Sequence, residues 1–382
     1  MNLLTSGKIK KNFPNHTSSC INNFILLMGV ILQSRTVCLY KCRDKVQPLL
    51  KEHHQGLNSC YVRLIRFFKM EHIEDFLFGV RITMWSLVEL DLTYLIMDRS
   101  NWKRGAKNIN LLTIGSLVHQ VFIPFNWVQL NRDGNSNLAD RKTLIEGLIN
   151  LLQTAGKTVQ GSILLADREF IGQQWFEFLL SHQLSFVIRL KEKMYFELKT
   201  ITGTRKTSLR YFHKYIERYG IYSIPMSLAG ITYTFVMIKN PKYDPREPYI
   251  YFISDLKDAP AIANHYLKRW KIECCFKNLK SNGFNVEDIN LKSDKKIELM
   301  MGILTLIYLI AIREGLIRHR LKPIPVKKYK NGKTYLSLSV FRSGLAAIQC
   351  SFNGIYPLMT YIEDNIKLSN HLNLNLIVSK IV

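Results

Sequence analysis

Hydrophobic and polar positions along the 382-residue chain change rhythm several times, and each change predicts a change of element. From about residue 21 to 80 the apolar positions recur at helical spacing with little alternation. TYLIMDRS at 93–100 then reads as a strand ending near Asp98, and NLLTIGSLVHQVFIPFNWVQL at 110–130 as two more strands in a hairpin. LADRKTLIEGLINLLQ at 138–153 returns to helical periodicity. GSILLADREF at 161–170 is an apolar strand run that stops at Asp167. IGQQWFEFLLSHQ predicts a helix, and SFVIRLKEK a further strand. Residues 193–258, rich in Tyr, Thr, Ile and Val with Gly, Pro and Asn breakers, read as a separate antiparallel block.

A helix follows from about Ala259, and its segment YLKRWKIECCFKNLK at 266–280 carries a narrow polar stripe. Taken as one helix at about 100° per residue, Tyr266, Arg269, Glu273 and Lys280 share an arc of about 60°. Ile272, Phe276 and Leu279 form an apolar flank beside it, and Cys274 and Cys275 turn away from the polar arc as packing residues. Spacing alone equally describes a solvated face with an i, i+4 pair between Arg269 and Glu273. A second buried helix is expected over 296–318, an exposed basic linker over 322–335 and another helix from Ser337.

Charge narrows the partner. Lys and Arg number 53 against 29 Asp and Glu, a formal net charge of +24, in a chain that is 47% hydrophobic. Such a surplus on a foldable chain points to a polyanion, either nucleic acid or an anionic membrane surface. The apolar runs 299–312 and 24–32 are shorter than the roughly 20 residues of a bilayer span, so buried core helices are expected rather than membrane crossings. No continuous apolar segment follows the first lysines, so a secretory signal is not expected. Seven cysteines without CxxC spacing predict reduced thiols in a cytoplasm, and Cys38, Cys42, His53 and His54 lack the spacing of a zinc site. YVRLIRFFKM at 61–70 fits a small DNA-binding helix and an amphipathic packing helix equally well.

Three carboxylates stand at telling places: Asp98 and Asp167 at strand ends and Glu273 on the helix after the β block. Acids brought together from two neighbouring strands and a helix are what a two-metal phosphoryl-transfer site needs, because hard divalent ions take oxygen ligands. Each acid also has a plainer reading. DRSN is good turn chemistry for Asp98, and Asp167 could pair with Arg168 at the surface. Glu89 and Asp91 compete for the first position but precede the apolar core of the strand.

MDRSNW at 97–102, LLADREFIG at 164–172 and the spacing Tyr266-x2-Arg269-x3-Glu273-x6-Lys280 together resemble the DDE transposases of bacterial insertion sequences, in the Y-R-E-K subgroup known as the insertion sequence 4 family. The resemblance covers roughly residues 20–350. It implies an α/β fold: an RNase H-like catalytic core with an inserted antiparallel β subdomain, plus helical N- and C-terminal regions. The matching boundaries are 1–80 for a helical region that binds DNA ends, 81–192 for the first part of the core and 193–258 for the insertion. Core helices carrying the Glu then occupy 259–320, and a C-terminal helical region with a dimerisation role occupies 321–382. By the same resemblance Asp98, Asp167 and Glu273 hold two Mg²⁺ or Mn²⁺ ions and are catalytic. By it too Tyr266, Arg269 and Lys280 contact transposon-end DNA. Arg189 and Lys191, in VIRLKEK just before the insertion, fit DNA contacts and solvated surface charges equally well.

The expected activity is therefore metal-dependent cleavage and strand transfer by a homodimer bound to double-stranded inverted-repeat ends and target DNA in a bacterial cytoplasm. A non-catalytic regulator of transposition and another RNase H-like nuclease are the alternatives. Family members often hold a flipped base on a Trp of the insertion, whereas 193–258 contains Tyr and Phe but no Trp.

Overall fold

In the computed structural model the described residues are 7–351, apart from 51–55, 89–90, 106, 119, 131, 201–202, 229–230, 242–243, 329–331 and 333. His53, His54 and Glu89, and residues 352–382 of the expected C-terminal region, lie outside them. Two compact units result. One comprises Met1–Leu90, Trp102–Ile109 and Cys275–Val382, the other Asp91–Asn101 and Asn110–Cys274.

The first unit is helical. Its axis is the 28-residue helix Asp294–Leu321, buried without interruption from Leu299 to Arg313. A helix that is apolar all round needs neighbours on every side, and it packs on helices Ile73–Trp85, Ser18–Ser34 and Val340–Ser351. It is also long and apolar enough to cross a membrane, but 89% of its most apolar stretch is buried inside the protein. A Cβ added at Gly344 would lie 1.8 Å from the Ala311 carbonyl oxygen, so the two helix backbones meet where no side chain fits. Gly344→Ala is expected to destabilise the fold by about 1–3 kcal/mol through overpacking, read as a lower urea midpoint at unchanged slope.

The basic segment at 61–70 falls on helix Leu57–Phe67 and the turn after it. Phe67 joins a ring cluster with Phe13, Phe24 and Phe76, and Arg63 donates to Asn23 at 2.9 Å. Its apolar face is thus a packing face, while Arg66 and Lys69 stay exposed. The expected linker instead forms a small exposed hairpin of Val326–Lys328 with Thr334–Leu336.

The second unit is built on a mixed sheet. We number its strands β1 (Tyr94–Arg104), β2 (Lys107–Val118), β3 (Val121–Gln129), β4 (Ile163–Ala166) and β5 (Ser185–Arg189). Five more follow: β6 (Tyr195–Thr200), β7 (Gly203–Ser208), β8 (Ile221–Leu228), β9 (Ile231–Lys239) and β10 (Tyr249–Ser254). Eight of them form one sheet in the order β3-β2-β1-β4-β5-β10-β9-β8, with β4 parallel to both β1 and β5 and antiparallel hairpins at each side. The central runs are continuously apolar because parallel strands are covered on both faces. Helix Leu138–Gln153, which leads from β3 to β4, starts with a capping box between Asn137 and Asp140 and packs on β3.

Two differences from the sequence reading bear on the site. Residues 193–258 do not stand apart as one block: β6 and β7 pair with each other, but β8, β9 and β10 extend the main sheet. Five of the six residues of β10 are buried, as interior strands require, and alternation alone does not say which strand is the neighbour. Nor does β1 end at Asp98. It runs on to Arg104 with Ser100 and Trp102 buried in alternation.

Candidate active site

The β1–β4–β5 register sets the floor of the site. Met97 is paired with Ala166, and Ala166 with Ile188. Asp98, Asp167 and Arg189 therefore follow, each by one residue, the last mutually paired positions of three adjacent strands. Neighbouring strands lie about 4.8 Å apart, so two carboxylates and a guanidinium leave the sheet side by side. Asp98 is thus the first residue past the β4 ladder within a longer strand, rather than a strand terminus.

The 266–280 segment is two helices, Ala259–Leu267 and Trp270–Leu279, not one. Between them the amides of Lys268, Arg269, Lys271 and Ile272 each bond the carbonyl three residues back. A 3-10 turn advances about 120° per residue instead of about 100°, so the four residues do not lie on one continuous helix, although Arg269 still pairs with Glu273 and its guanidinium lies 5.6 Å from the Tyr266 ring centroid. Arg269 sits in this tightened turn, its side chain 9% exposed. One guanidinium nitrogen donates to Asp98 Oδ2 at 2.7 Å and another to Glu273 Oε1 at 2.5 Å. Tyr266, on the first helix, is buried and donates its hydroxyl to Asp167 Oδ1 at 3.3 Å. Asp98, Asp167 and Glu273 are thereby drawn around one arginine, together with Tyr266.

Lys280 follows the second helix in the other compact unit, paired with Glu287 at 3.1 Å and 5.2 Å from the Trp102 ring centroid. Cys275 is buried, whereas Cys274 is exposed and not a packing residue; all seven cysteines are free thiols.

Electrostatics follow from this crowding. Burial, only partly offset by Arg269 and the Arg99 amide and reinforced by Asp167 and Glu273, pushes the Asp98 carboxyl up to about 6. Burial also raises the Tyr266 hydroxyl, keeping it a donor. Burial alone would lower Arg269, but the field of Tyr266, Asp98, Asp167 and Glu273 outweighs it and holds the guanidinium charged. An unfolded Asp titrates near about 3.9. Between about pH 4 and about pH 6 the folded protein therefore keeps a proton that the unfolded chain has lost, and stability falls as pH rises through that window. Asp98→Asn is expected to flatten this fall, measured by urea unfolding across pH in a chelating buffer.

Charged partners that sequence reading did not single out brace the acids. Arg99, next to Asp98, shares its Nε proton between the two Glu169 oxygens at 3.0 and 3.2 Å, and Glu169 Oε1 accepts from the Ser136 amide and hydroxyl at 2.8 Å each. Arg141 ties Ser136 and the Glu169 carbonyl together at 2.8 and 2.9 Å. This network links the chain just after Asp98 to the chain just after Asp167. Complementary charges one residue past the first acid and two past the second are the only trace of it in the sequence. Arg168 does not pair with Asp167; it reaches Glu247 at 2.8 Å, and Arg189 reaches the other Glu247 oxygen at 2.7 Å.

Among the described residues no group of three or more His, Cys, Asp or Glu side chains is arranged to hold a metal ion. The Arg269 guanidinium lies between Asp98 and Glu273 instead. The donor chemistry nonetheless suits a hard divalent cation: three carboxylates, all oxygen donors, with the Asp98 carboxyl raised chiefly by burial and further by the neighbouring acids.

Residues 93–310, more than half of the chain, match the family model described as a transposase DDE domain. Among solved structures, the piggyBac transposase synaptic complex with hairpin DNA, determined by cryo-EM, is similar at a TM-score of 0.44 and 10% identity, covering 100% of this chain and 79% of that one. None of the curated proteins matches.

Proposed function

The chain belongs to the transposase DDE domain family, and from that premise we propose that it cuts the ends of a mobile DNA segment and joins the freed 3′ hydroxyls to target DNA. The observation that carries this reading is the register that releases Asp98 and Asp167 from adjacent parallel strands, with Arg269 joining Asp98 to Glu273. The strand order β3-β2-β1-β4-β5 supports an RNase H-like core, and β6 to β10 an insertion before the Glu. The Tyr266, Arg269, Glu273 and Lys280 spacing supports placement in the insertion sequence 4 subgroup.

In this reading Asp98, Asp167 and Glu273 would hold Mg²⁺ or Mn²⁺, which when bound supplies Lewis acidity at the attacking and leaving oxygens of a phosphodiester. The chain's own residues fix geometry. The strands hold two acids rigidly, Tyr266 orients Asp167 through its hydroxyl, and the Arg99–Glu169–Ser136 network keeps the two acid-bearing segments in register. Arg189, beside Asp167, and Lys280, beyond the Glu273 helix, offer charge to the DNA backbone. Arg269 offers a planar fork to a phosphate whenever it leaves the carboxylates. No nucleotide-hydrolysing phosphate loop is needed, since joining conserves the number of phosphodiester bonds, and the sequence holds no GxxxxGK[ST]. A homodimer pairing two ends in the cytoplasm, with end binding through 1–80 and dimerisation through 321–382, completes the proposal.

The test is incubation of the full chain with Mg²⁺ and DNA carrying the terminal inverted repeats that flank its gene. The reading predicts cleavage at the repeat ends and joined strand-transfer products. Nicks without joining would indicate another nuclease. Bound but uncut DNA in both Mg²⁺ and Mn²⁺ would indicate a non-catalytic regulator.

A further inference from the structure

Beside Asp167 opens a cleft of about 310 Å³ whose lining includes Arg168, Arg189, Lys191, Lys193 and Arg246. Its acids are Glu192, which pairs with Arg210 at 3.0 Å, and Glu247. Glu247 lies across the middle of the cations: Oε1 takes Arg168 at 2.8 Å and Oε2 takes Arg189 at 2.7 Å. One anion with an oxygen for each of two arginines is also what a phosphodiester presents with its two free oxygens. We propose that this cleft seats a backbone phosphate of a DNA strand and that Glu247 is the built-in anion which that phosphate displaces.

Three further observations support the assignment. First, Glu247 and Arg189 also line a neighbouring cleft of about 230 Å³ together with Tyr266, Arg269 and Glu273. The carboxylate therefore stands where a strand running from the basic cleft to the candidate acids would pass. Second, the Glu247 side chain is 39% exposed and its Arg168 partner 49%, so that pair is weakly held, while Arg189, 16% exposed, stays fixed in the cleft wall. A polyanion that brings several phosphates and releases counterions outcompetes a single tethered carboxylate. Third, Glu247 sits in the turn before β10, held by its own amide on the Asp244 carbonyl and by Asn240 on its carbonyl oxygen. The side chain can thus swing off the arginines without moving the strand.

The inference rests on the DNA-cutting reading for the strand's destination, but binding tests it separately. Anisotropy of labelled DNA of arbitrary sequence, single-stranded and duplex, is measured with the full chain in chelator over a range of salt. Glu247→Gln is expected to bind about five- to tenfold tighter, with a log K against log salt slope steeper by about 1 to 2 as the freed arginines meet phosphates. Arg246→Gln, whose side chain is 89% exposed and so safe for folding, is expected to weaken binding.

Asp294→Asn is the matched control. It makes the same charge change and frees a cation, Lys107 at 2.6 Å, in the other unit. It is expected to bind within about twofold of wild type, because that cation is outside the cleft. Equal gains for Glu247→Gln and Asp294→Asn would overturn the inference, since added charge alone would explain both. A Glu247→Gln variant that gains affinity for inorganic phosphate but none for DNA would also overturn it, assigning the cleft to the free ion. A wild type that cuts and joins its ends while the two variants behave alike leaves the functional reading standing without the cleft. The reverse pattern leaves the cleft without the chemistry.

Discussion

Asp167→Asn is expected to bind end DNA as wild type does and to lose cleavage by on the order of 10³-fold or more, about 4 kcal/mol of transition-state stabilisation. Asp98→Asn and Glu273→Gln are expected to do the same. The reason is the difference between what each acid does for the fold and what it does for the reaction. Asp98 is disfavoured as an anion by its surroundings, which raise it to about 6, so an amide of the same shape costs the fold little. The amide, however, brings no negative charge to a divalent cation. Binding and cleavage should therefore separate, with gel shift unchanged and the cleaved product lost in Mg²⁺. Near-wild-type cleavage by any one of the three variants would remove that acid from the site.

The second large effect is on stability. Arg269→Ala is expected to cost about 3–5 kcal/mol in metal-free protein at neutral pH, because it removes the one buried cation between Asp98 and Glu273 and leaves the carboxylates facing one another. The loss should shrink below about pH 6, where Asp98 carries a proton. Arg269→Lys keeps the charge but not the fork that spans two carboxylates, and should fall between Ala and wild type. Urea unfolding with and without Mn²⁺ checks this: added ion should restore more stability to the alanine variant than to wild type. A loss under about 1 kcal/mol, or one independent of pH, would mean that the guanidinium is not balancing the acids.

The sequence showed some of this plainly and hid the rest for physical reasons. ILLA ending at Asp167 could be recognised because a short parallel strand, buried on both faces, leaves an unbroken apolar run with a polar stop. The two flanking helices and the β2–β3 hairpin were marked by period and turn residues in the same way. The break at Lys268 and Arg269 carried no such mark. It contains neither Gly nor Pro, and two short helices joined by a 3-10 turn show nearly the same apolar period as one long helix. The motif's residues were thus legible while their geometry was not. Tyr266 and Arg269 point at Asp167, Asp98 and Glu273, contacts that the spacing did not foretell.

Charge pairing was the least legible feature. With 53 cations and 29 acids, composition foretells a basic surface but not that Arg168 chooses Glu247 over its neighbour Asp167, or that Arg99 chooses Glu169. Those choices depend on contacts 70 and 79 residues apart, which only the sheet creates. The same holds for β10, whose placement against β5 brings the Glu247 turn to Arg189.

The central claim is that Asp98, Asp167 and Glu273 share divalent ions at the scissile phosphate. Anomalous diffraction from crystals of the full chain with its end DNA and Mn²⁺ tests it most directly. Manganese peaks are expected about 2.1 Å from oxygens of all three carboxylates, with the Arg269 guanidinium moved off Asp98. Peaks bound elsewhere, or an Arg269 still bridging Asp98 and Glu273 with the DNA in place, would contradict it.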